Sequence, residues 1–179
     1  ETKPYYYSSM FLNEEPYFYS EQPQPKKETT EETANTDAWY NYLGKKIDRK
    51  TVFDALYGNT RTSALAQSIK GFKPEASDYL IFAEKTDKII PVKENYWDED
   101  PVVDTVAIKT EADAAFRSFK SAKDDFLKER YLFQHVKLLH RSGYHKMAIE
   151  AYNKYSLTLK NKTFISDWAL SRVAGSYKR

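Results

Sequence analysis

Apolar residues recur every three or four positions through most of the chain after residue 35, which predicts a series of short helices. Each of the first four apolar runs follows a residue that favours the start of a helix. These start signals are Thr36 or Asp37, Asp48, Thr60 or Thr62, and Pro74. Glycines follow the apolar runs and are predicted as C-caps, because glycine readily adopts left-handed backbone angles. They are Gly44, Gly58, Gly71, Gly143 and Gly175.

The last 78 residues contain no proline, so their apolar runs can form continuous helices. One helix is predicted from Thr110, whose spacing to Asp113 resembles a capping box. The next is predicted over about residues 123–142 and carries apolar side chains on two faces, so we expect neighbours on both sides. A narrow polar seam separates these faces and is expected to form a basic edge towards solvent. The seam consists of Arg130, Gln134, Lys137 and Arg141.

Two further helices are predicted near the end of the chain. Residues 144–159 place their apolar side chains on one face, and a last helix follows Thr163 as far as Gly175. The segment 89–108 differs from these, because it combines Pro91 and Pro101 with several β-branched residues. We expect it to be a loop with at most one short strand pair.

The first 34 residues are predicted to form an extended arm. Residues 21–33 are a tract of Pro, Gln, Glu, Lys and Thr without a large apolar side chain, which is typical of a linker. Before them, a proline followed by three aromatic residues and a serine occurs twice, beginning at Pro4 and at Pro16. These aromatic residues could bind a groove of a partner or pack on the protein's own helices. The candidate partner-binding residues of the arm are Tyr5, Tyr6, Tyr7, Phe11, Tyr17, Phe18 and Tyr19.

Composition and charge narrow the possible functions. The absence of cysteine excludes disulfides, thiol catalysis and cysteine-ligated metals, and no apolar run is long enough to predict a membrane span. The chain is poor in aliphatic residues, but it contains 15 tyrosines, ten phenylalanines and three tryptophans. These aromatic side chains can supply the apolar area that a core requires. The charge is uneven, with 14 basic and 19 acidic residues in 1–109 against 14 and 7 in 110–179. A basic second half favours an anionic polymer as one possible partner.

No motif for catalysis, a cofactor or a metal emerges from the side-chain spacing. The histidines at 135, 140 and 145 lack the i, i+4 spacing of a helical zinc pair. The acidic cluster around Asp98 and Asp104 does not fit an EF-hand loop, which leaves a solvated loop or another calcium geometry. We therefore expect a non-catalytic protein without catalytic, cofactor-binding or metal-binding residues.

Residues 132–159 resemble a tetratricopeptide-type helical hairpin. The matching residues are Gly143 and Tyr144 at the turn, Ala148 at the closest approach of the two helices, and Tyr152 one turn later. The match departs from that pattern at Tyr155, where a second alanine is usual, and an ordinary helical bundle is the alternative. The resemblance implies helical hairpins stacked as an α-solenoid.

A second resemblance concerns the tyrosine-rich arm together with the segments 130–134 and 142–144. These are similar to the N-terminal part of large helical-repeat lipoproteins from the cell envelope of Bacteroidota. That family implies a scaffold in an outer-membrane assembly, periplasmic or at the surface, tethered by a lipidated cysteine outside this sequence.

The sequence thus predicts an all-α protein of antiparallel helical hairpins, tetratricopeptide-like or an irregular α-solenoid, preceded by an extended aromatic arm. Its predicted segments are the arm and linker 1–34, an irregular helical region 35–108, and a hairpin region 109–179 that is incomplete at its C-terminus. We predict a scaffold or adaptor that binds protein partners through the arm and through Arg130, Lys137 and Arg141. The alternative is a binder of an anionic polymer, nucleic acid or polysaccharide, through the basic half; a pI of 8.5 disfavours nucleic acid.

Overall fold

The computed structural model describes residues 29–58, 62–90 and 102–179, and these ranges are all-helical, with no strand among them. The prediction of an all-α protein is therefore confirmed. The candidate residues of the N-terminal arm lie outside the described residues. The helices are α1 Thr30–Tyr42, α2 Arg49–Tyr57, α3 Thr62–Ile69, α4 Pro74–Lys88, α5 Thr105–Ser121, α6 Asp125–Arg141, α7 His145–Tyr155 and α8 Phe164–Tyr177, with a 3₁₀ turn at Ser156–Thr158.

Three predicted helix starts are confirmed. The Asp48 carboxylate accepts a hydrogen bond from the Thr51 backbone N–H at 3.2 Å and so caps α2. Pro74 is the first residue of α4, where its missing N–H costs nothing. The Thr163 hydroxyl accepts from the Ile165 N–H at 3.2 Å at the start of α8.

The start predicted for α1 was wrong, because a capping box begins the helix earlier. The Thr29 hydroxyl accepts from the Glu32 N–H at 3.2 Å, while the Glu32 carboxylate accepts from the Thr29 N–H at 2.9 Å. Residues 30–33 are therefore helical rather than part of a linker, and the predicted boundary after residue 34 falls inside α1. The two reciprocal bonds compensate for the lack of apolar residues in this turn.

The start predicted for α5 was also wrong. Asp104 caps the helix by accepting from the Ala107 N–H at 2.8 Å, and Thr110 lies inside the helix with its hydroxyl donating to the Val106 carbonyl. The boundary predicted after residue 108 thus falls within α5. Ile108, which suggested extended backbone, is instead fully buried on the helix.

The glycines predicted as C-caps, and the predicted ends of the last two helices, were right only in part. Gly44 and Gly143 have left-handed φ values of 67° and 81°, whereas the other three glycines do not. Gly175 lies inside α8, where a Cβ atom would come within 3.1 Å of the His140 ring, so it permits close approach to α6. The helix predicted over 144–159 ends at Tyr155, and the 3₁₀ turn carries the chain to buried Leu159.

Helix α6 is the centre of the fold. It packs against α5, α7 and α8 and also contacts α4. The main apolar cluster of the described residues extends from Trp39 in α1 to Val173 in α8. Trp39 joins the first helices to α6, with its ring 5.0 Å from Phe126 and 5.8 Å from Tyr79. Among the described helices, none combines the length and the apolar character that crossing a bilayer requires.

Candidate functional site

The polar seam of α6 faces a cleft rather than open solvent. Arg130 is 2% exposed and the Gln134 side chain is buried, so the expectation of a basic edge towards solvent was wrong for both. Lys137 is mostly buried, and only Arg141 is well exposed. The seam lines the cleft together with residues of α4 and α8, both of which contact α6.

This central cleft has a volume of about 440 Å³. Residues of helices α1 to α4, α6 and α8 line it. Half of its apolar lining residues are aromatic, which provides broad flat surfaces for a bound group. The apolar lining residues are Trp39, Leu56, Tyr57, Tyr79, Leu80, Ala83, Ile90, Phe133, Ile165 and Trp168.

The charged side chains that line the central cleft have a net formal charge of +3. Two lysines have acidic partners: Lys88 Nζ lies 2.6 Å from Glu84 and Lys137 Nζ lies 2.5 Å from Asp87. These pairs fix the rim next to α4. The cations are Lys88, Arg130, Lys137, Arg141 and Arg172, against the acids Glu84 and Asp87.

A series of hydrogen bonds fixes the side chains at the Arg130 end of the central cleft, which we call its inner end. Arg130 donates to the Asn35 side-chain oxygen at 3.1 Å, and Asn35 donates to the Tyr57 hydroxyl at 2.6 Å. The Arg130 guanidinium also stacks on Phe126, 3.4 Å from the ring centroid. Burial lowers the pKa of Arg130 to about 10, so it remains charged at neutral pH, and burial raises the pKa of Tyr57 to about 12.

Two arginines lie at the opposite end of the central cleft. Arg141 is the last residue of α6, and Arg172 is a mostly buried residue on α8. Burial lowers the pKa of Arg172, and the positive charge of Arg141 lowers it further. Both arginines line the central cleft.

The three histidines lie in the C-terminal half, where His135 is buried and His140 and His145 are half-buried. His135 Nδ1 is 2.7 Å from the Ala112 carbonyl, which can only accept, so this nitrogen carries the hydrogen. His140 Nδ1 is 2.9 Å from the Ser176 hydroxyl, and its ring contacts His145 at a centroid distance of 5.3 Å. Within the part of the chain that the structure describes, no three histidine or carboxylate side chains come together as a metal site would require.

The desolvation of His135 and His140 predicts a loss of stability at acidic pH. Burial, together with the positive charges of His145, Arg172, Arg141 and Arg179, lowers the pKa of His140 to about 4, and burial also lowers that of His135. An unfolded chain, with a histidine pKa near 6.5, binds more protons below that pH, so the free energy of unfolding decreases as the pH falls from about 6.5 to about 4. Urea unfolding at about pH 7.5, 6 and 5 measures this.

The His140→Gln variant is the control for that pH dependence. It should be less stable than the wild type at neutral pH but lose less stability on acidification. An equally steep decrease in the variant would show that His140 is not responsible.

Sequence-predicted site residues are only partly brought together. Arg130, Lys137 and Arg141 line the central cleft, whereas Asp104 caps α5 and the rest of the acidic cluster at 98–100 lies outside the described residues. Sequence reasoning missed Arg172 and the tryptophans of the cleft. The available signal was the spacing of Ile165, Trp168 and Arg172, which fall on one helical face.

Comparison with known proteins supplies no relative for this arrangement. No protein-family model matches the chain, and no curated protein or solved structure matches it either.

Proposed function

We propose that this protein is a non-catalytic adaptor that binds a segment of a partner protein in the central cleft. The observation that carries the proposal is the cleft-lining face of α6, which continues from buried Arg130 to exposed Arg141 and lines the cleft together with residues of α4 and α8. A long cleft with aromatic walls and polar groups at intervals is typical of a peptide-binding groove.

The dimensions of the central cleft favour an extended segment. At the rise of an α-helix, the stretch of α6 from Arg130 to Arg141 is about 16 Å long. An extended peptide advances about 3.3 Å per residue, so roughly five residues would cover this length. A peptide of this size would contact the aromatic walls and still reach the charged rim.

The lining of the central cleft is held in place before any partner binds. The Arg130, Asn35 and Tyr57 side chains bond to one another, and Lys137 is paired with Asp87 across the gap between α6 and α4. A surface whose side chains are already ordered loses less conformational entropy on binding. This rigidity supports recognition of a partner by a preformed groove.

The arrangement of the last helices supports the proposal of a tetratricopeptide-like unit. Helices α6, α7 and α8 pack on one another in all three pairs, Gly143 makes the left-handed turn, and Ala148 is fully buried. A solenoid of such hairpins presents a concave surface to partners. We propose a scaffolding role on this basis, with the cell envelope as the proposed location from the resemblance alone.

Selection from a displayed library of random peptides tests the proposed function. The full chain is immobilised as wild type, as Ala83→Trp, and as Ala174→Trp. Ala83 lines the central cleft, so tryptophan there fills it, whereas Ala174 is an exposed residue on the same protein that does not line the cleft. We expect the wild type and Ala174→Trp to enrich a common set of peptides, which Ala83→Trp retains at least about tenfold less well.

Thermal unfolding of each variant shows that the fold is intact. Trp168→Ala removes an aromatic wall residue instead of filling the space and should weaken the same peptides. Enrichment that is unaffected by Ala83→Trp and Trp168→Ala, or no reproducible enrichment at all, would refute a peptide-binding cleft.

A further inference from the structure

We infer that the inner end of the central cleft binds a small organic acid, with its carboxylate at Arg130 and Tyr57 and its aromatic or apolar body against the neighbouring aromatic rings. This inference goes beyond the proposed function, because it assigns a small-molecule ligand to one end of the cleft. The acid and a partner segment would both reach Arg130 and would therefore compete for this end.

Arg130 is a buried cation of the cleft lining with unused hydrogen-bond donors. Its guanidinium donates to the Phe126 carbonyl at 3.4 Å and to the Asn35 side-chain oxygen at 3.1 Å. These two bonds leave most of its N–H groups without an acceptor among the described residues, and no carboxylate of these residues forms an ion pair with it. A buried charge without a counter-ion is costly, so an anion at Arg130 would bind favourably.

The hydrogen bonds at the inner end have a fixed direction. A guanidinium can only donate, so the Asn35 amide atom that faces Arg130 is the oxygen, and the Asn35 nitrogen faces Tyr57. The Tyr57 hydroxyl accepts this bond at 2.6 Å and keeps its own hydrogen, which has no acceptor within the described ranges. Tyr57 is half-buried and lines the cleft, so the inner end presents donors from a cation and from a hydroxyl.

Side-chain acceptors of the cleft lining already have donors. The Asn35 oxygen accepts from Arg130, and the Gln134 side-chain oxygen accepts from the Thr86 hydroxyl at 3.4 Å. The two carboxylates of the lining accept hydrogen bonds as well. A peptide N–H buried at the inner end would therefore compete for an occupied acceptor, whereas an ionised carboxylate only accepts. This polarity favours a free organic acid over the end of a peptide chain.

Aromatic rings next to Arg130 provide a surface for the body of the acid. The Trp39 ring centroid is 5.3 Å from the central carbon of the Arg130 guanidinium, and the Tyr79 ring is 5.8 Å from the Trp39 ring. Both rings line the cleft and both are buried, so water has little access to this end. An aromatic group would pack well on these rings, and the low polarity would strengthen the bonds to its carboxylate.

Binding of phenylpropionate to the full chain tests the inference, with phenylpropionamide as its neutral counterpart. Titration followed by ligand-observed NMR measures both dissociation constants. We expect the acid to bind at least about tenfold more tightly than the amide, because hydrogen bonds between charged groups are stronger than neutral ones. Equal binding of acid and amide, or no saturable binding of the acid up to about 10 mM, would overturn the inference.

The Tyr57→Phe variant removes one donor without changing the charge of the cleft. It should weaken phenylpropionate at least about threefold and weaken phenylpropionamide less. Tyr177→Phe is the matched control, since Tyr177 is exposed on α8 and does not line the cleft, and it should bind the acid as the wild type does. Wild-type affinity for the acid in a folded Tyr57→Phe variant would contradict the site. If thermal unfolding shows that this variant does not fold, the comparison of acid and amide on the wild type still decides.

N-Acetylphenylalanine distinguishes a small acid from the end of a partner chain. It has the same ring and carboxylate as phenylpropionate and adds an amide group with an N–H. We expect it to bind more weakly, since this N–H lacks a free acceptor at the inner end. Equal or tighter binding would show that the site recognises a peptide terminus and would overturn the inference. Peptide selection on the cleft uses other ligands, so failure of the proposed function and failure of this inference are distinguishable.

Discussion

Replacing Glu129 by alanine is expected to lower the free energy of unfolding by roughly 2 to 4 kcal/mol. Glu129 is a buried residue of α6, and its carboxylate accepts from the Thr163 and Ser166 backbone N–H groups at 2.7 and 3.2 Å. It also accepts from both of their hydroxyl groups. One side chain of α6 therefore binds the first turn of α8 at four points.

The effect of Glu129→Ala is large because the variant leaves a buried polar group of α8 without its hydrogen-bond acceptor. Ser166 is buried. Without Glu129, the Ser166 hydroxyl loses its acceptor and the Ser166 backbone N–H loses one of its acceptors. The favourable interaction of a carboxylate with the N-terminus of α8 is lost as well. For a protein with an ordinary stability of about 5 to 15 kcal/mol, this is a large fraction.

Urea unfolding followed by circular dichroism measures the loss, and hydrogen exchange shows whether α8 opens first. Glu150→Ala is the matched control, since Glu150 is exposed on α7 and lies 4.0 Å from Lys146; its effect should stay within about 0.5 kcal/mol. Glu129→Gln keeps one acceptor and should fall between the two. Equal stability of Glu129→Ala and Glu150→Ala would contradict the assigned role.

Replacing Arg130 by alanine should have the second large effect, lowering the free energy of unfolding by roughly 2 to 4 kcal/mol. The change removes a buried side chain that packs on the Phe126 ring and lies near the Trp39 ring, and it leaves the Asn35 oxygen without its donor. Because Asn35 is on α1, hydrogen exchange should show α1 losing protection more than α5.

The conservative variant separates charge from shape. Arg130→Lys retains the positive charge but lacks the planar group that stacks on Phe126, so we expect about half the loss. Arg117→Ala, at an exposed position on α5, should change stability by less than about 0.5 kcal/mol. If Arg130→Ala were as mild as Arg117→Ala, Arg130 would not be connecting α1 to α6.

A cap residue followed by an apolar run allowed some of the helix starts to be predicted from the sequence. This worked for α2 after Asp48 and for α8 after Thr163. It failed for α1, whose first turn contains no apolar residue and depends on the reciprocal bonds between Thr29 and Glu32. It failed for α5 because β-branched residues favour strands on average, although Ile108 packs well on a helix.

The sequence predicted the residues that α6 contributes to the candidate site but not the residues that the other helices contribute. The spacing of Arg130, Gln134, Lys137 and Arg141 identified one face of α6, and the structure confirms that they share it. Which elements would cover that face depended on contacts with residues far away in the chain, such as Asp87 and Arg172. Helical periodicity carries no information about such contacts, so a buried polar seam and a solvent-exposed edge have the same pattern.

The connection from Glu129 to the start of α8 also has a consequence for the order in which the chain folds during synthesis. Glu129 precedes Ser166 by 37 residues, which corresponds to roughly 2 to 7 s of translation at ordinary bacterial and eukaryotic rates. During this interval α6 has left the ribosome without the residues that satisfy its carboxylate and cover Phe133. The nascent protein therefore cannot complete its core until α8 has emerged, and the exposed face of α6 is the surface that a chaperone would bind in the meantime.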